Sequence, residues 1–220
     1  MKASLFNYFI FLFLPIVSGQ NIVPNHSFEY CRIPINDWML TDTQFNECMI
    51  NWFSPNSGSP DILQRSELGR MRHVRPNVNI QSYSPNSKNV MIGLKLFGCE
   101  DGDHCKEYIQ VQLRERLQIG QQYHFSVWTK PISSSVKINN IGVLLSTSEI
   151  SRTGVGIYDY QPHINTDSIL IDRKEEGWIK ISDTICADSS YQYLTIGNFF
   201  LDNQTLNATE QNGINYAYYL

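Results

Sequence analysis

The chain has 220 residues, 17% of them charged and 12% aromatic, with a formal net charge of −4. An acidic balance without a basic domain argues against a nucleic-acid partner. Helix-forming runs of Ala, Glu, Lys and Leu are absent, while Tyr, Asn, Ser, Ile and Gln are frequent, which favours strands and loops.

Residues 1–19 read as a secretory signal peptide. Lys2 gives a positive start, Leu5 to Val17 is mostly apolar, and Val17-Ser18-Gly19 precedes a cut. The run is too short for a secure membrane span, and no later stretch is apolar enough for one. Residues 20–220, roughly 200 in number, suffice for a single all-β domain with a full core.

In chain order, Pro24 and Asn25 mark a turn. Residues 30–51 lack clear periodicity and read as loop. Trp52-Phe53-Ser54 leads into a turn-dense segment ending at Asp61. Residues 62–79 carry Arg65, Arg70, Arg72, His73 and Arg75 and read as a solvated basic segment. Asn89 to Leu96 is apolar enough for a central strand, and Gly98 to Cys105 is a tight acidic loop with Glu100, Asp101 and Asp103.

Lys106 to Trp128 carries the clearest pattern. Ile109, Val111 and Leu113 alternate with Tyr108, Gln110 and Gln112; beyond Gly120, Tyr123, Phe125 and Val127 alternate with His124, Ser126 and Trp128. This period predicts two successive strands of an antiparallel sheet, each with one face in a core and one facing outward. If the two strands pair, some of Tyr108, Gln110, His124 and Trp128 lie side by side on one face. Further strands are predicted at 138–146, around 178–185, at 193–200 and from Tyr216 onward.

The five cysteines are Cys31, Cys48, Cys99, Cys105 and Cys186. A secreted chain should hold some as disulfides. Cys99 and Cys105 bracket a short Gly-containing loop and are the first expected pair; Cys31–Cys48 is a weaker second, leaving Cys186 as a buried thiol. No CxxC pair supports a structural zinc site.

Five segments resemble one known family. Asn21 to Glu29 resembles NLVPNxSFE; Trp52-Phe53-Ser54-Pro55 with Gly58, Pro60 and Asp61 resembles WFSPTxGTPD. Lys106 to Gln110 with Leu113 resembles REYIQxxL, and Asn139 to Gly142 and Thr195 to Phe200 resemble NNIG and TIGNFF. The order and spacing are similar over nearly the whole mature chain. The family is the galactose-binding-like, carbohydrate-binding-module-like β-sandwich at the N-termini of Bacteroidetes-type envelope proteins, often linked to an outer-membrane-protein-A-like domain. The resemblance implies a jelly-roll sandwich of two antiparallel sheets with its closing strand cut after Leu220. It also implies a non-catalytic module, secreted, periplasmic or associated with the cell surface or outer membrane. Partners would be a polysaccharide or other glycan, or envelope proteins. A structural calcium is implied at Asn25, Phe28 (through its carbonyl) and Glu29, completed by an Asp on the closing strand. Calcium takes six to eight oxygens, so these three alone cannot hold it; Glu29 capping a turn is the plainer reading. The acidic loop with Cys99 and Cys105 departs from the family pattern.

Sugar binding needs flat aromatic faces with amide and charged groups around them. Tyr108, Gln110, His124 and Trp128 are the candidates; the plainer reading has the aromatics under a covering loop. Ser54, Asp61 and His73 are the residue types of a hydrolase triad, but no GxSxG or HExxH accompanies them. The expectation is therefore no enzyme in this chain. Two alternatives remain: a structural envelope subunit without a small ligand, and an accessory domain of a larger hydrolase. Asn25, Asn203 and Asn207 each open a glycosylation sequon, relevant only in a eukaryotic secretory path.

Overall fold

The computed structural model describes residues 19–33, 41–65, 83–98, 105–171, 177–209, 213 and 215–220. The expected signal peptide, most of the basic segment (Arg70, Arg72, His73 and Arg75 included) and the acidic loop with Cys99 lie outside the described residues. Among the described residues, no helix is long and apolar enough to cross a membrane.

The chain is all-β. Among the described residues, twelve strands follow one short α-helix: α1 Asp42–Cys48, β1 Trp52–Phe53, β2 Asp61–Gln64, β3 Val90–Phe97, β4 Ile109–Gln112, β5 Gln122–Thr129, β6 Lys137–Ile138, β7 Gly142–Ser146, β8 Ile164–Asn165, β9 Ile179–Cys186, β10 Tyr193–Gly197, β11 Asn207–Ala208 and β12 Ala217–Tyr219, with a 3-10 turn at Asp202–Gln204. One antiparallel sheet has the order β1-β4-β10-β7-β8. Facing it are β12-β3-β2 and β5-β9. Reciprocal bonds between Lys130 and Leu220 (2.9 and 2.8 Å) and a bridge from Pro131 to Tyr219 join these two pieces just past β5. β6 and β11 form a small separate pair.

The sandwich follows from the alternation. Ile109 and Val111 of β4, Val143 and Leu145 of β7, and Leu194 and Ile196 of β10 enter one core cluster. Ile92, Leu94 and Leu96 of β3 and Ile181 of β9 meet them from the other layer, with Tyr123, Phe125 and Val127 of β5 packed against it. Burying these side chains stabilises by roughly 1.5–3 kcal/mol each. The last strand, β12, is short but lies inside its layer, paired to β3 and, through Lys130–Leu220, to the end of β5.

Three expectations are corrected. The two strands of the clearest pattern are present, but they do not pair: β4 lies between β1 and β10, while β5 pairs with β9 in the opposite layer. Residues 30–51 are not all loop. Thr41 caps α1, its hydroxyl accepting the Gln44 N–H at 3.2 Å, and Phe45 and Cys48 bury the inner side. Arg32 donates to the carbonyls of Asn46 and Glu47 near the helix end. Asp61 to Gln64 is a strand, β2, with Ile62 and Leu63 in the interior.

On its outer side, the five-stranded sheet is closed by the connection from Thr147 to His163. Tyr108 stands there, fully buried, its hydroxyl donating to the Asn198 carbonyl at 2.6 Å. Tyr158 meets its ring edge-on at 5.0 Å and Phe199 lies at 5.3 Å. Gln110 is equally buried: it donates to Thr195 Oγ1 at 2.7 Å and accepts the Ile150 N–H at 3.3 Å. The connection is tied to residues 55–57 by Arg152 N–H to the Pro55 carbonyl and by a two-way contact between Ser57 and Gly154. Beneath Tyr108 lies Gly197, where a Cβ would fall 2.2 Å from a ring carbon.

Gly197→Ala is expected to destabilise by about 1–3 kcal/mol through overpacking. The urea midpoint should fall at unchanged m-value; an unmoved midpoint would mean that Tyr108 does not sit over this strand.

Candidate functional site

Four sequence candidates were expected to share one outward face. Tyr108 and Gln110 stand on the predicted side of β4, but loop 147–163 covers that side, so both are interior. A strand's outer side meets solvent only where nothing is laid on it, and alternation alone cannot reveal the cover. His124 and Trp128 keep the predicted register: both are exposed, Trp128 at 45%, while Tyr123, Phe125 and Val127 turn inward against the core.

The open surface is therefore the outer face of β5–β9. Cross-strand pairs along it are Gln122 with Cys186, His124 with Thr184, Ser126 with Ser182, and Trp128 with Lys180. All eight side chains are exposed. His124 Nδ1 lies 3.3 Å from Thr184 Oγ1. Trp128 Nε1 and the Lys180 ammonium have no hydrogen-bond or ion-pair partner among the described residues. The strip from Gln122 to Trp128 is about 20 Å long. It offers one flat ring, one cation, an imidazole and three hydroxyls. Lys180, Ser182 and Thr184 were not singled out from sequence; once β9 is placed beside β5, their alternation with Ile179, Ile181 and Ile185 identifies them.

Asp183 of β9 falls on the inward side, opposite Phe125, yet is exposed, and its Oδ1 accepts the Thr184 N–H at 2.6 Å. β9 has no second strand neighbour among the described residues.

The expected calcium ligands do other work. Asn25 and Phe28 both take positive φ, 46° and 62°. The Asn25 side chain donates to the Tyr30 and Ile50 carbonyls (3.1 and 2.8 Å) and accepts the Tyr30 N–H at 3.1 Å. One Glu29 oxygen accepts the N–H groups of Asn89 and Val90 at 3.0 and 2.9 Å, capping the start of β3. The Phe28 ring packs on Trp52, whose indole N–H donates to the Asn25 carbonyl. This donor set does not by itself fit a calcium ion, which needs at least six oxygens. Among the described residues, no group of three His, Cys, Asp or Glu side chains is placed to hold a metal.

The triad types are structural as well. Ser54 Oγ donates to the carbonyls of Asn56 and Gly58, each at 2.9 Å, and Asp61 accepts the Tyr218 hydroxyl at 2.6 Å; His73 lies outside the described residues. Cys31, Cys48 and Cys186 are free thiols. Burial, with Cys48 and Glu29 nearby, pushes Cys31 up to about 11 and so keeps it protonated. Cys186 is exposed rather than buried, because it faces outward at the end of β9. Cys105 is not among the free thiols.

A second titratable group lies at the rim. Leu145 N–H donates to His163 Nδ1 at 3.1 Å, so Nε2 carries the proton and donates to the Tyr191 hydroxyl at 2.8 Å. Tyr191 in turn donates to Asp188 at 2.5 Å. With no nucleophile at either end, this chain of bonds clamps the connection at His163 to the β9–β10 turn. Lys106 is a buried cation, bonded to the Phe200 carbonyl and paired with Asp202 at 3.0 Å.

Comparison with protein-family models, with curated proteins and with solved structures finds no match to this chain.

Burial holds the His163 imidazole below its ordinary value, with Asp188 pulling the other way. Its neutral form makes the folded contacts. Its stabilisation is therefore full above the unfolded-chain value, about 6.5, and is lost as pH falls through the depressed folded value. Urea midpoints across that range should drop more for the wild type than for His163→Gln; parallel curves would remove His163 from the stability profile.

Proposed function

We propose that this chain is a secreted, non-catalytic binding module whose β5–β9 face holds a glycan or a cell-envelope partner. The observation that carries the reading is Trp128: an exposed indole whose N–H has no partner among the described residues, on a strand pair lined by hydroxyls. Pyranose rings present C–H patches to such a ring and hydroxyls to its surroundings. Orienting a large aromatic outward forgoes roughly 1.5–3 kcal/mol of burial, which a ligand would recover. The segments resembling envelope β-sandwiches support kinship to the galactose-binding-like family and a place at the cell surface or in the periplasm. The motif residues now have visible structural work: Asn25 and Glu29 fix the N-terminal turn, Ser54 and Asp61 fix β1 and β2, and Tyr108 and Asn198 fix β4 and β10. Such motifs specify a scaffold, and the ligand is left to the open face.

A glycan array probed with wild-type protein and with Trp128→Ala tests the proposal. Binding should weaken by about 1 kcal/mol or more in the variant. Its melting temperature should hardly move, because the side chain is exposed and away from the core. An array silent for the wild type would remove the glycan from this reading and leave the cell-envelope partner.

The Cys99–Cys105 bridge belongs to the same secreted reading. Cys105 lies outside the set of free thiols, and a loop this short would gain roughly 2–3 kcal/mol from closure. Mass mapping of a non-reduced digest should find the pair linked. A free thiol at either position in oxidised protein would remove it.

A further inference from the structure

We infer that the β5–β9 face takes an acidic saccharide, with a sugar ring lying on Trp128 and its carboxylate at Lys180; this rests on the binding-module reading above. Trp128 and Lys180 are direct cross-strand partners on the outward side. Their Cβ atoms are then about 5 Å apart, so one ring can touch the indole while its acid group reaches the ammonium. Lys180 is exposed and has no ion-pair partner among the described residues.

Among the described residues, the outward positions of β5 and β9 also carry no opposing charge. The chain carries 21 Asp and Glu against 17 Lys and Arg. Yet the eight outward positions, Gln122, His124, Ser126 and Trp128 with Lys180, Ser182, Thr184 and Cys186, include no carboxylate. The acid of β9, Asp183, sits on the opposite side of the strand. Among the described residues of this face, an anion approaching Trp128 along these strands meets the Lys180 ammonium, hydroxyls, an imidazole, an amide and a thiol, and no carboxylate. A neutral sugar would use the ring and hydroxyls and leave the ammonium idle. Toward Gln122, His124 with Thr184 and Ser126 with Ser182 continue the polar strip and would meet the hydroxyls of neighbouring sugars.

The probes are oligogalacturonate, oligomannuronate and hyaluronan fragments, each beside its methyl ester, which keeps the sugar and removes the charge. Titrations use the mature chain and follow tryptophan fluorescence and heat. Binding to the acid form should exceed binding to the ester by roughly fivefold. That preference should shrink as salt is raised. Lys180→Gln should abolish that preference, and Lys180→Arg should restore it. Trp128→Ala should weaken both forms. Equal affinity for acid and ester, or a preference that survives Lys180→Gln, overturns the inference and leaves the binding-module reading standing. No binding to any acid or ester overturns the inference. If a broad array of neutral glycans is silent as well, the glycan-binding reading falls with it.

Discussion

The bond from the Tyr108 hydroxyl to the Asn198 carbonyl, with the ring laid over Gly197, is the constraint on which the layout of the surfaces depends. A tyrosine on the outer side of a half-buried sheet must either meet water or be covered, and its hydroxyl must find a partner in both cases. Here it is covered. Tyr158, Leu144, Ile150 and Phe199 enclose it in an apolar cluster of its own. The connection after β7 must then cross the sheet, and its tie to residues 55–57 holds it there. The five-stranded layer thereby loses its outer face as a binding surface. The open strand face is left in the other layer, at β5–β9.

The N-terminal segment plays the complementary part. It has little regular structure, so its backbone groups need side-chain partners. Asn25 supplies three bonds from one amide, and Glu29 ties the segment to the start of β3. Two residues with positive φ make the turn that lets one short stretch reach both β1 and β3. Polar residues gathered in a loop can suggest metal or catalytic chemistry. In this chain Asn25, Glu29, Ser54 and Asp61 are occupied in holding backbone or a neighbouring hydroxyl, while the Trp128 indole N–H and the Lys180 ammonium, both without a partner among the described residues, stand on a strand pair.

Much of the fold was legible because its strands obey period two. β3, β5, β9 and β10 follow the apolar alternation or runs, and the inward register of Tyr123, Phe125 and Val127 carried Trp128 to the correct side. Pairing was not legible, since alternation within a strand says nothing about its neighbour; β4 and β5 are consecutive in sequence yet belong to different layers. The helix carried a signal that period two does not capture: Thr41 followed by Gln44 is the spacing of a capping box. The site was half legible. His124 and Trp128 were in view, while Lys180 emerged only once β9 was set beside β5. Tyr108 and Gln110 were misplaced because cover by a distant loop leaves no local pattern.

Asp183 carries a consequence of a different kind. An eight-residue strand at the rim of a sheet is a template onto which another chain's strand can add, and such addition seeds aggregation. A carboxylate on the side that an incoming sheet would need to bury makes that addition costly, because the charge would lose its water without gaining a cation. Its bond to the Thr184 N–H also occupies one of the strand's backbone donors. The chain can thus keep a long strand pair open to solvent at high concentration without that pair becoming a seed for fibres.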